Sequence, residues 1–354
     1  MTTSLPWEPL DRLPRAFGVP QASGCIRSVP EDFQVDEILG FEPDGEGQQV
    51  LVHLRKRGSN TSWLAGELAR FAAVPPKDIG FAGLKDRNAV TSQWFSVPLA
   101  KGEEPDWRQM ESPGIEVLGS CRHGRKLQRG DLWGNRFRLL VRRLRGAPEA
   151  LEQRLEQVQR QGFPNYFGDQ RFGHDYANLE RAEQLFSGLL PRLGHHQRGL
   201  YLSAVRAQLF NQVLAARIRA GSWNRPQPGD LLLLERTQSW FPVTALDDAI
   251  ARRVCSLELH PTGPLWGSGF SAVTGPTRDL ERAVVQAFDL WRQGLEQWGL
   301  RQDRRALRAV AEGLSWGFPE PGVLELKFGL RAGRYATALL REVLMASPPP
   351  GGSG

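Results

Sequence analysis

Short runs with two-residue alternation crowd into the first 145 residues of this 354-residue chain, and that pattern returns only near its end. Val50, Val52 and Leu54 fall on one face of a strand, with Leu51 and His53 on the other, and Phe33, Val35 and Glu37 alternate less cleanly. Strands are expected again at 90–97, 115–120 and 136–144. Between 149 and 298 the spacing is mostly helical: 149–161, 177–190, 202–220 and one long amphipathic helix over 278–298. The stretch 223–269 is rich in Trp, Pro and Gly and reads as loops with short strands such as 231–234. A strand over 323–330 and a helix over 335–345 close the chain. Strands, then helices, then one strand–helix unit imply an α+β domain interrupted by an insertion, with the C-terminal unit returning to complete the first sheet. The boundaries expected are 1–160, 161–308 and 309–346, followed by a disordered SPPPGGSG tail at 347–354.

A helix is also expected from SNTSWLAGELARF, capped by Asn60 or Thr61, with Trp63, Leu64, Leu68 and Phe71 as its apolar stripe. It stops at Pro75 and Pro76. Next comes Gly80 to Val97, GFAGLKDRNAVTSQWFSV, in which Lys85, Asp86 and Arg87 are packed together between a Gly-rich turn and a strand. An aspartate between two cations is favoured in its ionised form, and on a loop it is placed to act as a nucleophile or base. The same residues also read as an ordinary polar turn.

Charge narrows the partner class. The chain carries +6 overall, yet residues 121–145 hold nine basic residues against Asp131 alone, a net of +8 that leaves −2 for the rest. Arginine dominates that run and suits bidentate contact with phosphate, so a polyanion partner or a solvated basic face is expected. Three cysteines, Cys25, Cys121 and Cys255, lie far apart without CxxC spacing, which argues for a reducing compartment and against a local zinc site. No signal peptide and no run of 18 apolar residues is seen, so a cytoplasmic protein is expected.

Several motifs fail on context. Gly313-Leu314-Ser315-Trp316-Gly317 fits G-x-S-x-G, but a helical-looking AEGL precedes it, and Pro319 and Pro321 follow where a helix is required. Gly267-Ser268-Gly269-Phe270-Ser271-Ala272 fits G-x-G-x-x-A, but Pro261 and Pro264 occupy the place of the preceding strand. His195-His196 lacks further ligands at a metal-binding spacing, so a metal-free mechanism is expected.

Four runs taken together, GFAGLKDRNAVTSQWF (80–95), LWGNRFRL (132–139), PNYFGDQRFG (164–173) and LSAVRAQLFNQVLAARI (202–218), resemble the TruD family of tRNA pseudouridine synthases. FQVDEILGFEPDGEG (33–47), LHPTGPLWG (259–267) and GLRAGRYATALLREV (329–343) extend the likeness over nearly the whole chain. The resemblance implies a pseudouridine synthase catalytic domain with a mixed, mainly antiparallel sheet, plus an inserted α/β TRUD domain that makes an RNA-binding cleft with it. It implies isomerisation of uridine in tRNA, at position 13 of glutamate tRNA for bacterial members. The shared catalytic aspartate falls on Asp86, the stacking aromatic on Phe137 and the neighbouring amide on Asn135, with Phe33 a second aromatic and Lys85 and Arg87 helpers. An enzyme that acts on a base takes it out of its stack and holds it flat, which would give Phe137 its purpose. As alternating strand residues, Phe137 and Phe33 also read as core filler. Phe167, Gln170 and Arg171 would line the cleft from the insertion, or form a plain core turn. Attack on the sugar, proton abstraction from it and attack on the base all remain open for Asp86. The resemblance implies no organic cofactor, and the partner implied is tRNA, with no membrane and no obligate protein partner. Two rivals stand beside this reading: a non-catalytic tRNA-binding or RNA-chaperone protein, and another RNA-modifying enzyme such as a methyltransferase, for which the only glycine pattern fails.

Overall fold

In the computed structural model, which describes residues 7–100, 102, 104–190, 193–237 and 239–347, the alternating runs pair into one ten-stranded mixed sheet. Its main path runs Glu312–Gly317, Leu324–Arg331, Leu132–Arg145, Phe33–Leu39, Val90–Pro98, Gln49–Arg57 and Ile115–His123. Phe33–Leu39 runs parallel to Val90–Pro98, and Ser23–Ile26 parallel to Met345–Ser347; the other pairings are antiparallel. The fold is α+β with a mixed, mainly antiparallel sheet.

Register decides what each face of the sheet carries. Val35 pairs with Phe137 and Thr91, Phe137 with Phe328, and Thr91 with Lys56. Paired residues share a face, so Phe33, Val35, Glu37, Asn135, Phe137, Phe328, Gln93 and Lys56 all lie on one side. On that side Val50, Val52, Leu54, Phe95 and Val97 pack against Leu64 and Leu68 of the helix Thr61–Phe71. Both leucines are 0 % exposed, and each contributes about 1.5–3 kcal/mol by leaving water. The helix therefore roofs half of this face. Trp63, expected in its apolar stripe, is instead 50 % exposed.

The chain divides into two compact units, and the sheet belongs to the one made of 21–150, 311–333 and 344–347. The other unit groups 151–310 with 7–20 and 334–343. Its centre is the helix His195–Arg219, longer than the sequence suggests, with Val205, Leu209, Phe210, Val213 and Leu214 all 0 % exposed. A four-stranded sheet, Trp240–Pro242, Leu231–Leu234, Leu259–Leu265 and Asp303–Ala306, lies in the same unit. Two expectations fail here for visible reasons. Leu259–Leu265 is a strand despite Pro261 and Pro264, because Leu259 to Pro261 pair with one neighbour and Thr262 to Leu265 with the other. Each proline thus needs ladder bonds on one side only. The single helix expected over 278–298 is two, Gly275–Gln286 and Asp289–Gln297, broken at Phe288 (φ −122°, ψ 51°), whose ring stacks on Trp291. A further helix, Asp248–Cys255, stands in the stretch read as loop, capped by the Asp247 side chain.

Among the described residues no helix is long and apolar enough to cross a membrane. Ser347 ends a short strand, while 348–354 of the tail expected to be disordered lie outside the described residues.

Gly134 illustrates how tightly the sheet is closed. A Cβ there would stand 2.1 Å from the Leu330 carbonyl oxygen of the paired strand. Gly134→Ala is expected to lower unfolding free energy by about 1–3 kcal/mol in urea titrations, whereas Gly83→Ala, which meets nothing within 4 Å, leaves it nearly unchanged.

Candidate active site

The loop carrying Asp86 leaves the short strand Gly80–Phe81 and ends at the strand Val90–Pro98. It lies on the half of the sheet face that the helix does not roof. Gly80 opens it where a Cβ would come within 2.5 Å of both Ser96 Oγ and the Leu127 carbonyl oxygen, an approach that glycine permits.

Three buried contacts fix this loop. The Lys85 ammonium turns inward to Glu37 Oε2 at 2.5 Å, with side-chain exposures of 7 % and 0 %. Glu37 Oε1 in turn accepts from the Trp94 backbone N–H at 3.2 Å. The Lys85 backbone N–H donates to Thr61 Oγ1, whose hydroxyl donates to Gln93 Oε1, and the Gln93 amide reaches back to the Gly83 carbonyl. Lys56, 1 % exposed, donates to the carbonyl oxygens of Ser59 and of Asp86 itself, at 2.6 and 2.9 Å.

The Asp86 carboxylate faces outward. Its Oδ1 accepts the Asn88 backbone N–H at 3.0 Å, and its Oδ2 pairs with Arg27 Nη2 at 2.7 Å. About a quarter of each side chain of the pair meets solvent, 25 % for Arg27 and 26 % for Asp86. The cation on the carboxylate is thus neither of the two neighbours in sequence: Lys85 is committed to Glu37, and Arg87 is exposed with its Nε on the Gly58 carbonyl. Arg27 takes the left-handed region (φ 58°), uncommon for a bulky residue. Its guanidinium lies 4.1 Å over the Phe33 ring.

From Phe33 an aromatic row continues inward. Phe33 meets Phe137 edge to face at 6.3 Å, and Phe137 stacks on Phe328 at 5.2 Å. Phe137 is 8 % exposed, so most of its ring is already covered. Asn135 pairs in register with Glu37, and its Oδ1 is buried without a hydrogen-bond partner among the described residues. The structure therefore brings together Asp86, Lys85, Phe33, Phe137 and Asn135 on one sheet face. It adds three residues that pattern reading missed, Arg27, Glu37 and Lys56. Arg27 carried no sequence signal, Lys56 was hidden in a strand, and Glu37 looked like one more alternating position.

Phe167, Gln170 and Arg171 belong to the other unit. Phe167 is 7 % exposed, its backbone N–H and carbonyl clamped by the Asn211 amide, and the Arg305 guanidinium lies 4.0 Å over its ring. Burial lowers the Arg305 pKa to about 9, with Arg334 and Arg171 adding to the effect and Tyr335 opposing it. Arg171 donates to Ser203 Oγ and the Tyr335 hydroxyl; Gln170 is exposed. Arg206 is held by the Leu265 and Arg301 carbonyls.

The basic run 121–145 is partly neutralised. Arg122, Arg125, Arg138 and Arg142 pair with carboxylates, while Arg129, Arg136, Arg143 and Arg145 are exposed with no partner among the described residues. His195 and His196 are exposed at the start of their helix, and no group of three or more His, Cys, Asp or Glu gathers as a metal site among the described residues. Ser315 of the G-x-S-x-G match lies within the strand Glu312–Gly317, after a bulge in which Gly313 takes φ 60°.

The fold is that of a pseudouridine synthase. A solved structure titled as a putative tRNA pseudouridine synthase D from Methanosarcina mazei matches with a TM-score of 0.74 over 94 % of this chain and 95 % of that one, at 23 % identity. The family model described as tRNA pseudouridine synthase D (TruD) matches residues 14–182 and 176–343. Proteins named tRNA pseudouridine synthase D are similar along almost their whole length. The one from Methylococcus capsulatus (strain Bath) is 48 % identical, covering 96 % of each chain. That from Nitrosococcus oceani is 48 % identical over 92 % of this chain and 91 % of its own. The chain belongs to the TruD family of tRNA pseudouridine synthases, isomerases that convert uridine to pseudouridine in tRNA.

The Lys85–Glu37 pair generates a prediction. Lys85→Met leaves a buried carboxylate without its cation and is expected to cost about 3–5 kcal/mol, whereas Lys85→Met with Glu37→Leu recovers much of that loss. Urea unfolding of the three proteins checks it; equal losses in the single and double variants would contradict a coupled buried pair.

Proposed function

We propose that Asp86 is the catalytic group of this enzyme and that its substrate is the uridine at position 13 of glutamate tRNA. The observation that carries the reading is the Asp86 carboxylate itself, a quarter exposed on a loop whose backbone is pinned to the sheet. A reacting carboxylate needs that combination, since a displacement of about 1 Å costs on the order of 100-fold in rate. Attack at C1′ of the ribose, proton abstraction at C2′ and attack at C6 of the base all begin from this one group.

Recognition of the base follows from the same face. The Phe137 ring, backed by Phe328 and edged by Phe33, gives an apolar rim for a flipped base. The unpartnered Asn135 Oδ1 suits the N3–H donor that uracil presents and cytosine lacks. Arg129, Arg136, Arg143 and Arg145 supply cations for the phosphate backbone, so affinity falls as salt rises. No metal or organic cofactor is invoked, and the proposed compartment is the cytoplasm, where the tRNA substrate and three isolated cysteines both fit.

The test is pseudouridine mapping on unmodified glutamate tRNA after incubation with wild type, Asp86→Asn and Asp86→Ala. Wild type is expected to give pseudouridine at position 13, and both variants to bind the tRNA yet react at least about 100-fold more slowly. Binding by wild type without product would favour a tRNA-binding protein instead. Undiminished activity in both variants would remove Asp86 from the chemistry.

A further inference from the structure

Lys56 is a fully covered ammonium whose described hydrogen bonds go to backbone carbonyls, not to a carboxylate. That arrangement is costly, because a buried cation is ordinarily paired with a charge. Its two acceptors are the carbonyl of Ser59, which leads into the roof helix, and the carbonyl of Asp86. The strand Gln49–Arg57 holds its Cα rigidly between Val90–Pro98 and Ile115–His123, with Lys56 in register with Thr91 and Ile115. The side chain therefore links a strand paired on both sides to the residue proposed to do the chemistry.

We infer that Lys56 is a positioning residue for the reaction: its charged ammonium holds the Asp86 backbone and sets the direction of the carboxylate. The inference rests on the reading of Asp86 as the catalytic group. Charge is part of the role, since charge-assisted hydrogen bonds are roughly twice as strong as neutral ones. Burial lowers the Lys56 pKa from 10.5 to about 8, with Asp86 opposing that shift and Lys85 adding to it. The other charges around it are already paired: Arg27 with Asp86, Lys85 with Glu37, Arg57 with Glu31, and Arg55 with Glu116. Arg87 points outward to Gly58.

Two consequences of opposite sign follow. Between pH 8 and 10.5 the unfolded chain keeps a proton on this lysine that the folded one has released. Stability contributed by this group therefore rises with pH through that window. The grip on Asp86 is lost as pH rises through about 8, so the rate falls where the fold begins to tighten. Simple alkaline unfolding would move both quantities downward together.

The experiment is single-turnover pseudouridine formation on unmodified glutamate tRNA from pH 6 to 10, with wild type, Lys56→Met, Lys56→Arg and Asp86→Asn. Tight tRNA binding is measured alongside. Lys56→Met is expected to slow the chemical step about 10- to 100-fold, the factor for one lost charge-assisted hydrogen bond, while tRNA affinity stays within about twofold. Wild type is expected to lose rate above pH 8, and Lys56→Arg, which stays charged, to lack that limb. A wild-type rate in Lys56→Met, or losses of rate and affinity in equal measure, would overturn the inference. So would an unchanged alkaline limb in Lys56→Arg, and this comparison decides the matter if Lys56→Met does not fold. An inert Asp86→Asn beside a normal Lys56→Met sinks the role of Lys56 alone. A fully active Asp86→Asn sinks the catalytic reading and this one with it.

Discussion

Everything at the candidate site depends on how the loop 82–89 is tied to the sheet beneath it, and the tie is the buried contact of Lys85 with Glu37. A carboxylate with 0 % side-chain exposure on a sheet face is tolerable only with a cation against it. The loop supplies that cation, so sheet and loop cannot separate without stranding a charge. The Thr61–Gln93–Gly83 relay repeats the logic with neutral groups, since each buried polar atom in it is satisfied only while the loop stays in place.

Four cations near Asp86 consequently do four different things. Lys85 anchors, Lys56 holds the backbone of Asp86, Arg27 meets its carboxylate, and Arg87 stays at the surface. Burial separates these roles. A pair that is a quarter exposed, like Arg27 with Asp86, contributes at most about 1 kcal/mol. It is too weak to place the loop, and the contacts beneath it do that work. Arg27 is instead placed by its own strained backbone and by the Phe33 ring below its guanidinium.

The sequence made the architecture readable where pattern and contact agree. Val50, Val52 and Leu54 point to one face as their alternation requires, and Leu64 and Leu68 meet them as their helical spacing requires. Reading failed where tertiary contact decides. Pro261 and Pro264 are barred from a strand only if ladder bonds are needed on both sides, and the change of partner at Thr262 removes that need. The Phe288 break was invisible because the apolar period runs on through both helices. At the site, local order suggested that Asp86 takes its cation from Lys85 or Arg87. The residue that fills that place is Arg27, nearly sixty positions earlier, and no local pattern announces it.

The division between a pinned backbone and a free carboxylate also explains why the site sits where it does. Half of the sheet face is closed by the Thr61–Phe71 helix, and a group placed there would be sealed from any polymer substrate. The other half carries the aromatic row and the loop, with Phe33 and Phe137 nearly covered and Asp86 at the rim. On the proposed reading, a base brought to that rim would meet apolar rings on one side and a charged group on the other. The rings would then exclude water from the bond to be broken, and the Arg27 cation pairs with the carboxylate beside them. The roof helix and the open half therefore depend on each other: Thr61, which opens the helix, and the buried Lys56 hold the backbone of the loop that presents the Asp86 carboxylate in the open half.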